Sequence, residues 1–347
     1  MQGLEVPNLV LGAWNLAGST VSPLGSGLIN HTALVTSGAD RYVLQQLNPV
    51  FPPEINEDIR VVTAHLRARG LVAPELLPTV DGRLWVEIDG RVYRLMTHLD
   101  GVSRNRLNSP GEAREAGGLL ARFHRALADL DYAFPARRLG VHDTGRHMEV
   151  LRQALLEHPA HRDFAAIAPL AGEILCLAAA LPTLPAVPER VVHGDPKINN
   201  LLFATATGRA LCFIDLDTLG PMALPLELGD AFRSWCNPAG EDHRQSGFAL
   251  DLFTPAVGGY AEVATGWITP EESGAIVAGT LTIYVELAAR FCADALRESY
   301  FGWDPQRFPT RSAHNQARAA NQLTAARSLW DLRGAAEEVV RRAFASG

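Results

Sequence analysis

Lysine is almost missing from this 347-residue chain: Lys197 is the single one, and the rest of its 31 basic residues are arginine. Such one-sided usage reflects coding bias, so the exception needs a reason. Chance survival would leave it on an arbitrary solvated surface, whereas it stands inside a compact polar motif. Cysteine is scarce too. Cys176, Cys212, Cys236 and Cys292 lie far apart with no CxxC pair, which argues against a zinc site or a disulfide framework and for buried free thiols. Positive charge is not in excess, and a net charge of -7 leaves no footprint for a nucleic-acid backbone or an anionic membrane, so small molecules are the expected partners. Long apolar runs are lacking as well. The longest, over residues 164–187, is broken by Pro169, Glu173, Pro182 and Pro185, and the N-terminus has neither the basic start nor the apolar run of a secretory signal. No membrane span and a cytoplasmic location are therefore expected.

What is present is ample apolar matter, 47% of the residues, more than one core usually accommodates, so two lobes are expected. The early part reads as strands over 24–29, 33–36 and 41–47, with a turn at Ser37-Gly38-Ala39-Asp40. One helix interrupts them, with Ile55, Ile59, Val62 and Leu66 on one face and Gly70 ending it. Strands over 84–88 and 92–96 flank Asp89-Gly90, a two-residue hairpin signal. From Ser109 the pattern becomes helical. Ser109-Pro110-Gly111-Glu112 reads as a capping box, followed by Leu119, Leu120, Phe123, Leu127 and Leu130 at helical spacing. Further helices are predicted over 146–157, 163–181, 271–298 and 312–345, and one strand unit over 200–217 turns at Thr207-Gly208. The fold class expected is α+β and bilobal: an antiparallel-sheet lobe over 1–97, a hinge at 96–101 that includes Met96, and a larger, mainly helical lobe over 98–347.

The chemistry concentrates in Val191-Val192-His193-Gly194-Asp195-Pro196-Lys197-Ile198-Asn199-Asn200 and, past a short hairpin, Phe213-Ile214-Asp215-Leu216-Asp217. Phosphoryl transfer needs a carboxylate to orient and deprotonate a hydroxyl, oxygen ligands for magnesium, and positive charge on the moving phosphate. Asp195 fits the first task, Asn200 and Asp215 the second, and Lys197 the third. On an extended segment Asp215 and Asp217 point to one face, which makes Asp217 a second or bridging metal carboxylate. This loop resembles the catalytic loop of the protein-kinase superfamily, and more closely that of the aminoglycoside phosphotransferase and choline kinase branch. The resemblance implies ATP and magnesium as cofactors, a loop-bracing role for Asp230 in Leu226-Glu227-Leu228-Gly229-Asp230, and a supporting rather than proton-transferring role for His193. Gly25 and Gly27, in the first hairpin, become candidates for the loop that covers the phosphates, and Met96 for the hinge beside the nucleotide. The branch's usual third-strand lysine is missing. Gln45 and Gln46 stand there instead, so Glu57 on the following helix loses its usual ion-pair role, and Arg41 and Gln45 are the candidates to replace the charge.

Other segments resemble N-acetylhexosamine 1-kinases: Tyr42-Val43-Leu44-Gln45-Gln46-Leu47-Asn48, Arg122-Phe123-His124, His142-Asp143-Thr144 with Arg146, Asp215-Leu216-Asp217-Thr218, and near the C-terminus Arg290-Phe291, Asp294, Tyr300-Phe301, His314-Asn315, Arg318 and Gln322. Gly194 and Pro196 depart from that branch. The resemblance implies a sugar acceptor, with Asp143, Arg290 and Tyr300 as contacts; Asp143 and Arg146 could equally serve to cap a helix. A kinase for an amino alcohol or aminoglycoside is the alternative enzyme, and a nucleotide-binding pseudokinase the alternative from another class.

Overall fold

Alternation of apolar and polar residues builds the first third of the chain into an antiparallel sheet. The structure, a computed structural model, describes residues 8–25, 29–136, 140–244 and 246–345. A short helix α1 (Asn8–Gly12) precedes β1 (Thr20–Pro23), β2 (His31–Ser37) and β3 (Asp40–Gln46). Helix α2 (Ile55–Ala68) follows, then β4 (Val86–Ile88) and β5 (Arg91–Thr97), giving the strand order β1-β2-β3-β5-β4. The β4–β5 turn is set by its two central residues, Asp89 and Gly90, both left-handed at φ 52° and 69°. One sheet face buries Val35, Leu44, Val86, Tyr93 and Leu95 against Val10, Leu11 and Trp14 of the α1 region. Helix α2 turns Ile59, Val62 and Leu66 the other way, into the large core of the helical part, and Gly70, at φ 78°, ends it. The expected first strand is displaced: β1 ends at Pro23, and residues 26–28, including Gly27, lie outside the described residues.

The connection after β5 forms β6 (Val102–Ser103) and leads to α3 (Pro110–Ala126), α4 (Thr144–Glu157) and α5 (Phe164–Ala179). Ser109 caps α3 through Glu112 N at 3.2 Å. The box is only half formed, because the Glu112 carboxylate turns to Asn108 N and to Arg104 instead. Then come β7 (Glu189–Val192), a single 3-10 turn at Ile198–Asn200, β8 (Leu201–Phe203), β9 (Ala210–Phe213) and β10 (Gly220–Ala223). β6 pairs with β8, fastening the hinge to the hairpin that carries the central motif, and β7 pairs antiparallel with β10, aligning Val192 with Gly220.

The rest is helical: α6 (Leu224–Trp235), α7 (Leu250–Ala264), α8 (Pro270–Gly274), α9 (Ile276–Arg297), α10 (Arg311–Asp331) and α11 (Arg333–Ala345). Two of these, α6 and α7, escape the periodicity reading, since Pro225, Pro255 and the Gly258-Gly259 pair mask the pattern. Two predicted long helices are each divided, at Ala275 and at Leu332. α6 crosses α9 so closely that a Cβ on Gly279 would come within 2.0 Å of Pro225 O. Among the described residues α9 alone is long and apolar enough to cross a membrane, and 83% of its apolar stretch is buried inside the fold. The thiol expectation needs one correction: Cys212, Cys236 and Cys292 are buried, but Cys176, on the outer side of α5, is exposed.

Candidate active site

Because β7 lies beside β10, the residues following Val192 run next to those following Asp217, and a set of buried hydrogen bonds locks the two together. The His193 ring is fully buried. Its Nε2 lies 3.0 Å from Ile214 O and its Nδ1 accepts from Asp195 N at 3.2 Å; accepting at Nδ1 while facing a carbonyl at Nε2 requires the tautomer protonated at Nε2. Beneath it the buried Glu227 carboxylate of α6 accepts from His193 N at 3.0 Å and from Gly194 N at 2.9 Å. Gly194 is left-handed at φ 83°, and a Cβ there would come within 2.2 Å of Thr218 O, so no other residue fits this turn. The expected bracing residue therefore changes. Glu227, whose two oxygens match two adjacent backbone N–H groups, holds the loop, while Asp230 accepts from Arg233 Nε at 2.9 Å.

On that platform Lys197 Nζ donates to Asp195 Oδ2 at 2.5 Å, and Asn200 Nδ2 donates to Asp195 O at 2.8 Å and to Oδ2 at 3.2 Å. Both side-chain contacts reach Oδ2, and neither is made to Oδ1. Burial raises the Asp195 pKa and the neighbouring Asp230 adds to it, against the Lys197 ammonium. Burial works against the Lys197 charge, but the Asp195 and Asp215 carboxylates outweigh it and hold its pKa above the ordinary lysine value. The backbone ties the two motifs together again, with Ile214 N donating to Asn200 O at 2.8 Å.

Asp215 is left-handed at φ 61°, a conformation uncommon for a residue with a Cβ and characteristic of functional turns. The segment is thus not extended, so strand alternation does not set the directions of Asp215 and Asp217. Asp217, 3% exposed, is engaged by Arg94 Nη1, which lies 2.6 Å from its Oδ1, and by Asn30 Nδ2 at 2.6 Å from Oδ2. No hydrogen bond from a described residue reaches the half-buried Asp215 carboxylate, whose pKa is raised by burial and then by Asp217, with Lys197 opposing. A carboxylate in such a field gains from a cation. Among the described residues no three His, Cys, Asp or Glu side chains converge as a metal cage, but magnesium takes only one or two protein oxygens when phosphates supply the others. The Asp215 carboxylate and Asn200 amide oxygen fit that demand; Asp217, already paired, does not.

The remaining candidates scatter more widely. Gly25 is left-handed at φ 75° and exposed, and Met96 is buried as part of the large core. Gln45 accepts from Arg94 and donates to Thr32 Oγ1 at 3.2 Å. Arg41 pairs with Asp100 of the hinge, and the half-buried Glu57 pairs with Arg60. Asp143 caps α4 by accepting from Arg146 N at 2.9 Å, while its neighbours His142 and Thr144 bond the buried Glu286 of α9 at 2.9 and 3.1 Å. One turn on from Glu286, the Arg290 guanidinium sits 5.6 Å from the Phe301 ring centre. Tyr300 is half-exposed and packs edge-on against Phe301, in a loop whose amides at residues 299, 300 and 301 all donate to Asp294. Arg94 and Glu227 were missed by sequence reading; the signal for Arg94 is a charged residue amid the apolar run of β5.

These features define a small-molecule phosphotransferase of the protein-kinase-like fold, with a hydroxyl as acceptor. The chain belongs to the phosphotransferase enzyme family, whose model matches residues 20–264. It is 27% identical to the homoserine kinase of Methylobacterium nodulans over 259 residues, covering 71% of this chain and 75% of that protein. Its fold is similar to that of a microcompartment-associated aminopropanol kinase, with a TM-score of 0.66 at 16% identity over 94% of this chain and 97% of that one. It is also similar to the amicoumacin kinase hAmiN in complex with AMP-PNP, Ca2+ and Ami, with a TM-score of 0.58 at 12% identity over 88% and 87% of the two chains.

Proposed function

We propose that the chain transfers the γ-phosphoryl group of ATP, with magnesium, to the hydroxyl of a small sugar, an N-acetylhexosamine being the leading acceptor. The observation that carries the kinase part is the meeting of Asp195, Lys197 and Asn200 with the left-handed Asp215 through one buried scaffold. Asp195 Oδ1, clear of Lys197 and Asn200, orients the acceptor hydroxyl and takes its proton. Lys197, held on Oδ2, turns its ammonium toward the incoming phosphate as negative charge shifts. Magnesium, held by Asp215 and the Asn200 oxygen, would neutralise phosphate charge. The AMP-PNP and Ca2+ bound by the amicoumacin kinase support a nucleoside triphosphate and a divalent ion here. The same reading assigns nucleotide binding to residues 1–97, with Gly25, Gln45 and Met96 near the nucleotide, and the acceptor to residues 98–347, in a cytoplasmic protein.

For the acceptor, the half-exposed Tyr300 ring and the Arg290 guanidinium beside Phe301 offer the aromatic face and planar donors that sugars use, with Asp143 at the start of α4 as a further contact. A second reading, an amino alcohol, draws on the homoserine and aminopropanol kinases among the similar proteins. ADP release across a panel of N-acetylhexosamines, amino alcohols and aminoglycosides tests both. Turnover with N-acetylglucosamine or N-acetylgalactosamine and phosphorus NMR of an anomeric phosphate are expected. Turnover with homoserine or aminopropanol alone overturns the sugar reading, and no ADP release with any acceptor favours a pseudokinase.

A further inference from the structure

The position where a strand lysine is missing is not left without charge. Arg94 lies directly across from Gln45 in the β3–β5 ladder and is 1% exposed. Its Nε and Nη2 donate to Gln45 Oε1 at 2.9 and 2.6 Å, and Nη1 reaches Asn56 Oδ1 of α2 at 3.4 Å. The same Nη1 lies 2.6 Å from Asp217 Oδ1, a charge contact that is not aligned as a hydrogen bond. Asn30, the other partner of Asp217, accepts from Asn48 N at 2.9 Å. One guanidinium therefore joins β3, α2 and β5 to the turn that follows Asp215. The helix partner is a neutral amide, so the acid that balances the cation is found beside the metal-binding aspartate instead of on the helix.

We propose that Arg94, facing the position where the strand lysine is missing, is a positioning residue that docks the turn from Asp215 to Asp217 onto the nucleotide-binding sheet; this rests on the kinase reading above. Stability alone does not explain the pair. Buried ion pairs can often be exchanged for apolar residues at no loss, and the better-attested reason to keep one is that it fixes a register. A lysine at this position would not serve, because a single ammonium cannot span Gln45, Asn56 and Asp217 as a planar fork does.

The test compares wild type, Arg94→Lys, and the double variant Arg94→Gln with Asp217→Asn, which removes both charges and leaves neither buried alone. ADP is titrated calorimetrically with and without magnesium, and folding is followed by circular dichroism. The double variant is expected to stay folded and to keep its magnesium-free affinity for ADP within about twofold. Its magnesium-dependent gain in affinity should fall at least ~10-fold, as when groups supporting a metal ligand are removed, and Arg94→Lys should show the same loss. A folded double variant with the full wild-type gain overturns the proposal and leaves Arg94 an ordinary structural residue. Should the double variant fail to fold, Arg94→Lys, which keeps a positive charge opposite Asp217, carries the comparison, and an undiminished gain there overturns the proposal equally. Wild-type protein that binds no ADP under either condition overturns the kinase reading itself.

Discussion

The loop bearing Asp195 and the turn bearing Asp215 serve one site but are anchored in different ways. The first is held from within the helical part: Glu227 takes two backbone amides and the fully buried His193 bridges Asp195 N to Ile214 O. The second is tied to the first through Ile214 and is held in addition from outside, by Arg94 of the sheet reaching Asp217. Geometry at Asp195 is thus a property of one folded part, whereas geometry at Asp215 depends also on how the sheet sits against Asp217. Short backbone bonds to a buried carboxylate tolerate little displacement, and a side-chain pair between two parts of the molecule can separate and re-form.

Four measurements sharpen or break this contrast. The largest effect is expected for Asp195→Asn, which keeps the loop's shape but removes the proposed proton acceptor. Turnover should fall ~100- to 10,000-fold with nucleotide affinity and melting temperature nearly unchanged, and a variant retaining more than about a tenth of the wild-type rate would mean that another group takes the proton. Next is Glu227→Gln, which replaces one acceptor oxygen by a donor and leaves one of two buried amides unpaired, at about 1–3 kcal/mol. Denaturant unfolding should register that loss; a stability equal to wild type would move the brace elsewhere. Lys197→Arg follows. If only charge mattered, arginine would suffice, but its wide fork fits poorly over Asp195 Oδ2, and at least ~10-fold lower turnover is expected, about 1.4 kcal/mol. Wild-type rates in that variant would make the lone lysine an accident of coding.

The smallest effect concerns His142. Burial disfavours its charged form, yet the hydrogen bond and charge of Glu286 outweigh that and raise its pKa above the ordinary 6.5. A raised folded-state pKa contributes stability that is complete below the unfolded value and disappears as pH rises through the folded value. Melting temperatures of wild type and His142→Gln should therefore differ most below the ordinary 6.5 and converge as the pH climbs through the raised folded-state value. A gap that widens with pH would show that the ring is held neutral.

Legibility in the sequence followed locality. Asp195, Lys197, Asn200 and Asp215 stand close along the chain in a fixed order, so their spacing alone pointed to one chemistry. Asp89-Gly90, Gly70 and Ser109 likewise carry their own turn and cap instructions. What was lost depends on contacts across the fold. Asp217 reads as a metal ligand until Arg94, from a distant strand, is seen to occupy it. Asp230 reads as the brace until α6 turns Glu227 toward the loop. The left-handed backbone at Asp215 could not be read from an apolar run that otherwise suggests an extended strand.

The single lysine also gives the protein an unusual chemical address. Apart from its terminal amine, the described chain offers acylating reagents one nitrogen, Lys197 Nζ, whose side chain is 27% exposed and bonded to Asp195. Because neighbouring carboxylates keep that nitrogen protonated, labelling should be slow near neutrality and accelerate in alkaline buffer. One added acyl group at this position, counted by mass spectrometry, would then report directly on whether a nucleotide shields the site, without any need to know the acceptor.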